Sequence, residues 1–267
     1  MTPRTAVIMP TLASPDWDRH LPSLLDQTAP ADDIIVVVDR ATTESERGAL
    51  RSAWANVTFV FNDRNVGITS SLNRALAATT ADIVFRADDD DRSHPERFAR
   101  QLACFEATGA DFVASWGEGS ADGGAAYLIR CPTEDSAIRA ALLRRNVLIH
   151  PTLAFRRDRV MALGGYDETF VNAQDYALYL AGLRAGYRFA AVPEPLVRRH
   201  YGADNITIRR RSNQLMYSCA ARVAHHAATG DRRAFLRTLA HYAQLAATPD
   251  WARAARRRLF TLVGRGA

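Results

Sequence analysis

Four carboxylates stand in a row, Asp88 to Asp91, directly after the apolar stretch Ile83-Val84-Phe85. An apolar run of that kind, led in by Thr79-Thr80-Ala81-Asp82, predicts a buried strand that ends where the acids begin. Adjacent negative charges repel, so a fold keeps them only with compensation nearby. Arg86 and Arg92 flank the run, and two arginines do not balance four acids. A hard divalent cation held by carboxylate oxygens, and shared with substrate phosphates, supplies what is missing. The plainer reading is an acidic surface turn, with Asp91 or Ser93 capping a helix that starts near Pro95-Glu96-Arg97. The position at the carboxyl end of a buried strand, where open α/β sheets bind ligands, favours the cation.

The rest of the first half alternates strand and helix patterns. Ala6 to Met9 reads as a strand and Trp17 to Gln27 as a helix with Leu21, Leu24 and Leu25 on one face. Asp33 to Asp39 holds five consecutive β-branched residues, the mark of a strand buried on both sides. Thr42 to Ala53 reads as a helix, with Thr43 and Glu46 spaced as a capping box. Val57 to Phe61, Ile83 to Phe85 and Asp111 to Ser115 read as strands, and Ser70 to Ala78 and Pro95 to Thr108 as helices. This βαβαβαβαβ order predicts an α/β fold: a mainly parallel sheet flanked by helices. In the second half, Asp135 to Arg145 and Asp175 to Ala185 read as helices. Val147 to Phe155 is apolar around His150-Pro151-Thr152, and Gly164-Gly165-Tyr166-Asp167 is a turn. From about Arg211 onward the pattern is helical, broken at Gly230 and Pro249. The expected organisation is an α/β domain over residues 1–205 and a helical extension over 206–267.

Composition narrows the chemistry. All 34 basic side chains are arginine. Without lysine there is no Walker-type phosphate loop and no lysine Schiff base; the bias itself fits a GC-rich coding sequence. Cys104, Cys131 and Cys219 are far apart and lack metal-type spacing, as expected of a reducing compartment. The first apolar run is too short for a signal peptide and no stretch approaches a membrane span, which predicts a cytoplasmic protein. From Arg198 to the end there are 14 arginines against three acids, whereas the preceding part has 20 against 26. Trp251 to Val263 mixes those arginines with bulky apolar groups. It is either a helix packed on the catalytic domain or a peripheral contact with the inner face of an anionic membrane.

No G-x-G-x-x-G follows the first strand, where Met9-Pro10-Thr11-Leu12-Ala13 stands instead, so a Rossmann dinucleotide site is not expected. In its place Pro10-Thr11, Asp39 and Asn65-Val66-Gly67 fall at carboxyl ends of predicted parallel strands, which share one edge of such a sheet. Asp39 either accepts from a base or ribose or caps a helix. Gly67 either permits close backbone approach or simply makes a turn.

Taken in order, these pieces resemble the family-2 glycosyltransferases of the GT-A fold. The resemblance rests on Met9-Pro10-Thr11, Ile34 to Asp39, Asn65-Val66-Gly67 with Leu72-Asn73-Arg74-Ala75, and Arg86 to Asp91 with Pro95-Glu96-Arg97. It continues through His150-Pro151-Thr152, Gly164 to Glu168 and Gln174 to Leu178, and ends at Arg199-His200. It implies inverting transfer from a nucleoside-diphosphate sugar, with Mn²⁺ or Mg²⁺ on the diphosphate. The family's Asp-x-Asp motif falls on Asp88-Asp89-Asp90, which makes Asp90 a metal contact and sets Asp88 toward the ribose or the metal's water shell. His200 matches a position that relatives place near the metal, and Asp91 is a cap or a supporting acid. The donor site implied comprises Pro10, Thr11, Asp39, Asn65, Gly67, Asn73, Arg86, Asp88 and Asp89. The base falls on Asp175, preceded here by Gln174 where relatives carry Glu. Val38 stands where relatives often have a second polar group, so base recognition differs in detail. UDP is the commonest donor nucleotide, with dTDP and GDP open. The acceptor is a glycan, a lipid-linked sugar or a small molecule. His150 is expected to be buried on the acceptor side, and Trp116 and Tyr166 either stack on sugars or pack in the core.

Two rivals remain. A nucleotidyltransferase also pairs an α/β sheet with acids and a divalent ion, but would want a glycine-rich, lysine-bearing signature. A non-catalytic nucleic-acid binder would use the basic tail and leave the acid run unexplained, so no nucleic-acid partner is expected.

Overall fold

The structure is a computed structural model that describes residues 2–14, 16–121, 126–201 and 211–247. The first half is built from strands β1 (Thr5–Thr11), β2 (Asp33–Val38), β3 (Thr58–Phe61) and β4 (Ile83–Arg86). Between them run helices α1 (Pro22–Leu25), α2 (Glu44–Ala53) and α3 (Ile68–Ala77). β1 lies parallel to both β2 and β4, and β2 parallel to β3. Ala6 to Met9 and Ile35 to Val38 are sealed from solvent, as their unbroken apolar sequences demand of strands covered on both faces. Pro10 sits in β1 opposite Val37, beyond the last residue paired with β4, where its missing N–H breaks no ladder on that side.

The parallel pattern stops at β4. Next come the two-residue β5 (Arg92–Ser93), α4 (Arg97–Thr108), β6 (Phe112–Ala121) and β7 (Tyr127–Ile129). Then follow α5 (Asp135–Leu142), a 3₁₀ turn at His150–Thr152, β8 (Ala154–Arg156), α6 (Arg157–Ala162), α7 (Gln174–Arg184) and β9 (Phe189–Tyr201). The sheet order is β3-β2-β1-β4-β8-β6-β9-β5, with β7 paired to β6. The short β8 enters antiparallel between β4 and β6, so the fifth expected strand does not follow the fourth in space. β6 and β9 run parallel and carry the chain back past the end of β4.

Two local readings change. The expected helix over Trp17 to Gln27 shrinks to one turn, because Pro22 supplies no N–H and stands at its start. Neither Asp91 nor Ser93 caps α4: its N-cap is Glu96, while the Ser93 hydroxyl accepts from Arg97 and Asp91 is buried. The Thr43–Glu46 capping box forms as its spacing predicts, with Glu46 accepting from the Thr43 N–H at 2.7 Å.

The chain divides into two compact units, Met1–Ser218 and Cys219–Ala267. Helix α8 (Arg211–Thr229) begins in the first. In the second, the Arg222 guanidinium lies 5.1 Å above the Tyr242 ring, and Asp231 accepts from Ala234 N to start α9 (Arg232–Ala247). The residues around the expected 205/206 boundary, and the Trp251 to Val263 segment, lie outside the described residues. Among those described, no helix is long and apolar enough to cross a membrane.

Candidate active site

The carboxyl ends of β1 to β4 meet along one edge, tied by backbone bonds from Asp39 N to Thr11 O and from Ala87 N to Ile8 O. Asp39 is buried there, and its carboxylate accepts from Asn62 Nδ2 at 2.7 Å, Val66 N at 2.8 Å and Gly67 N at 2.9 Å. Asp39 thus holds the amino end of α3, and Gly67 takes the left-handed φ of +92° that turns the chain into it. Asn62, fully buried, also meets Ser71 and accepts from Arg74, which makes it the link between β3 and α3. Asn65 is exposed. It lines an open hollow of about 710 Å³ with Arg64, Ser70, Asn73 and Glu168, and the acid run is not part of that lining. Thr11 donates to Asp89 at 2.6 Å and accepts from Ala13 N.

The acid run lies across this edge, and its compensation comes from further away than its neighbours. Arg86, sealed in the core, pairs with Asp88. Arg97 is also fully buried and donates to the Arg86 carbonyl at 2.7 Å, to Ser93 and to Gln101. Burial drags its guanidinium down to about 9, against the pull of Asp91. Arg199, from β9, approaches Asp91 at 3.5 Å. Arg92, which flanks the acids in sequence, is exposed on β5. Burial, then repulsion from Asp88, pushes up the carboxyls of Asp90 and Asp91. Burial raises Asp89 to about 6, with the Thr11 hydroxyl opposing it.

Asp88, Asp90 and Asp91 each offer a carboxylate oxygen, and these oxygens lie within 4.8 Å of one another. Such a set of hard donors suits Mg²⁺ or Mn²⁺. The Asp91 Oδ2 atom is buried, and Arg199 Nε faces it at 3.5 Å without closing a hydrogen bond. His200 lies in β9 opposite Ser120; its side chain is outside the described residues.

On the other side of Arg86, His150 and Tyr166 are buried and joined at 2.9 Å from His150 Nε2 to the Tyr166 hydroxyl. Burial, with Arg86 and Arg199 adding to it, keeps His150 neutral. Tyr166 is delivered by Gly164 and Gly165, at φ +88° and +81°. The Asn73 amide clamps this turn: Oδ1 accepts from Tyr166 N at 2.8 Å, and Nδ2 donates to Tyr166 O and Glu168. Asn73 therefore spends its side chain on the turn that carries Tyr166 and Glu168. A Cβ on Gly165 would stand 2.7 Å from that Oδ1.

Asp175 opens α7 beside this cluster. Burial raises its carboxyl, while the Tyr176 N–H, the Asn146 amide and Arg86 pull the other way. Asn146 donates to Asp175 Oδ2 at 2.7 Å. Trp116 is engaged locally: its indole donates to Cys131 O and Arg130 stacks on its ring.

A profile of the family described as "Glycosyl transferase family 2" matches residues 6–162, more than half of the chain. The chain belongs to this family. AmsE, the amylovoran biosynthesis glycosyltransferase of Erwinia amylovora, is 31% identical over 206 residues, 74% of this chain and 75% of that protein. The UDP-Gal:alpha-D-GlcNAc-diphosphoundecaprenol beta-1,3-galactosyltransferase of Escherichia coli is 27% identical over 219 residues, 79% and 78% of the two chains. In three dimensions, the mannosyltransferase PcManGT of Pyrobaculum calidifontis, solved with GDP-Man and Mn²⁺, superposes with a TM-score of 0.62. It does so at 20% identity, over 98% of this chain and 81% of that one. The fold is thus GT-A and the protein is a glycosyltransferase.

Four functional-site residues were not singled out from sequence: Asn62, Arg97, Arg199 and Asn146. Asn62 carries a signal, since it follows β3 as Asp39 follows β2. Arg199 and Asn146 meet partners far away in sequence, whereas Arg97 bonds Ser93, Gln101 and the Arg86 carbonyl nearby.

Proposed function

We propose that this glycosyltransferase moves a sugar from a UDP-sugar to an acceptor hydroxyl with inversion at the anomeric carbon, and that Asp175 is the base. The observation that carries this reading is the state of the Asp175 carboxylate. It is a single acid, raised in proton affinity by burial, and oriented by a neutral amide. Such a group takes a proton from an attacking hydroxyl more readily than an ordinary surface aspartate. The helix N-terminus behind it favours the ionised form.

Donor binding falls to the opposite side. Thr11 and Asp89, Asp39 with Gly67, Pro10 and Asn65 line the edge where the nucleotide lies, and Arg86 fixes Asp88 toward it. Asp90, with Asp88, Asp91 and His200 around it, is the set that holds Mn²⁺ or Mg²⁺, and the bound ion offsets charge gathering on the departing diphosphate. Asn73 contributes by shaping the Gly165–Glu168 turn. UDP is favoured by the galactosyltransferase relative, whose donor is UDP-Gal. The same relative acts on a lipid-linked sugar, which makes a lipid-linked or polysaccharide acceptor the leading candidate here. Residues 1–205 form the catalytic domain in this reading, and the basic extension over 206–267 is a candidate for peripheral contact with the inner face of the membrane. Leu236 and Leu239 are exposed on α9, which also carries Arg232, Arg233 and Arg237.

The test is to incubate the full chain with UDP-, GDP- and dTDP-sugars, with and without Mn²⁺, and to read melting temperature and product stereochemistry. A UDP-sugar should raise the melting point more with Mn²⁺, as ligands of the native state do. The product should carry the anomeric configuration opposite to the donor's. A product that retains it would remove the inverting mechanism.

A further inference from the structure

Asn146 stands on the turn that closes α5, 29 residues from Asp175 in sequence, with its Nδ2 atom 2.7 Å from Asp175 Oδ2. An ionised carboxylate only accepts hydrogen bonds, so the amide must turn its NH₂ toward Asp175 and its Oδ1 away. That Oδ1 is buried and has no partner, in a protein interior where such atoms are almost always paired.

The placement is built, not incidental. Tyr176, beside Asp175, donates its hydroxyl to Leu142 O at 2.6 Å and so ties the first turn of α7 to the last turn of α5. Arg144 N and Arg145 N both return to Ala141 O, which closes the turn that delivers Asn146. The groups that influence Asp175 come from three further directions. Tyr179, on α7 itself, is buried with an unpartnered hydroxyl. Tyr166, on the preceding turn, is occupied by His150. Arg86, on β4, is the cation among them, and its Nε and Nη1 are buried without partners.

We propose that Asn146 is the positioning residue of the base: Nδ2 fixes the orientation of the Asp175 carboxylate, and Oδ1 is left to accept a hydrogen bond from a hydroxyl of the acceptor. The proposal rests on the assignment of Asp175 as base. Removal of Nδ2 takes away a donor that favours the ionised carboxylate. The base form is present above the Asp175 pKa and lost as pH falls through it, so the acidic limb of activity moves to higher pH.

The experiment uses the full chain in three variants, Asn146→Ala, Asn146→Asp and Asp175→Asn, each checked by its melting curve. The Asp175 carboxyl is titrated by ¹³C NMR, assigned by its absence in Asp175→Asn, and UDP binding with Mn²⁺ is read by thermal shift. Sugar transfer is followed as UDP release from the UDP-sugar that wild type turns over. Asn146→Ala should bind UDP as wild type does, lose roughly tenfold to hundredfold in kcat from misplacement of the base, and titrate at higher pH. Should it fail to fold, Asn146→Asp keeps the shape and sets a second carboxylate against the first, which drives the upper titration of the pair higher still. An Asp175→Asn enzyme that turns over normally would remove the base assignment itself. An inactive Asp175→Asn together with wild-type rate and titration in the Asn146 variants would overturn the role of Asn146 alone.

Discussion

At the end of β4 four carboxylates crowd together among three arginines drawn from β4, α4 and β9. At the start of α7 one carboxylate stands alone, held by the amide of Asn146. The difference matches the roles proposed for the two regions. Arginines beside an acid favour its ionised form and weaken it as a proton acceptor. In the cluster the arginines work against burial and mutual repulsion, which push its acids up, and so favour charged oxygens for the proposed cation; the same arginines beside a base would weaken it. A neutral amide orients an acid at less cost to its basicity. Arg86 reaches both regions: it pairs with Asp88, and its charge still lowers Asp175, which burial raises more.

This contrast can be broken from either end. Loss of the lone acid should have the largest effect. Asp175→Asn should lower kcat by ~10²–10⁴-fold, the usual contribution of a positioned base, with little change in melting temperature; a loss within a few-fold would take Asp175 out of that role. Next comes the buried arginine behind the cluster. Arg97→Leu leaves Asp91 and Asp88 short of a counter-charge and should destabilise the fold by about 3–5 kcal/mol in denaturant titrations. Stability within 1 kcal/mol of wild type would mean, on the same scale, that Arg97 does not hold the acids. The turn that sets Tyr166 near Asp175 is third. Gly165→Ala forces a non-glycine residue to a positive φ against Asn73 and should cost about 1–3 kcal/mol. It should also lower kcat by displacing Tyr166, and a variant as active and stable as wild type would show that the turn is permissive. The smallest effect belongs to the α2 cap, whose hydrogen bonds involve neither carboxylate region. Thr43→Ala removes the α2 cap and should cost about 1 kcal/mol with kcat unchanged.

The same contrast shows in the pH profile. Burial raises the Asp175 carboxyl above the ordinary aspartate value near 4. The base form therefore disappears at a higher pH than a surface acid would lose it, and kcat should fall on the acid side accordingly. A kcat flat down to the ordinary aspartate range would contradict the burial of the working carboxylate.

What the sequence reveals on its own divides along the same line. β1 to β4, the acid run and the Thr43–Glu46 box are legible because each is specified by residues a few positions apart. The Trp17 to Gln27 helix is misread because leucine spacing is counted and Pro22 is not. The insertion of β8 between β4 and β6 depends on pairing across the sheet, which no local pattern encodes. Arg199 is hidden for the same reason: it meets Asp91 only because β9 returns beside β5. Asn146 looks like an ordinary loop residue until α5 and α7 are docked through Tyr176.

The most direct test is a titration of UDP with Mn²⁺ into two variants, Asp90→Asn and Asp175→Asn, alongside wild type. The account predicts that Asp175→Asn binds UDP as tightly as wild type and that Asp90→Asn binds at least about tenfold more weakly, with its dependence on Mn²⁺ blunted. Equal binding in Asp90→Asn, or weakened binding in Asp175→Asn, would contradict the division of labour between the two carboxylate regions.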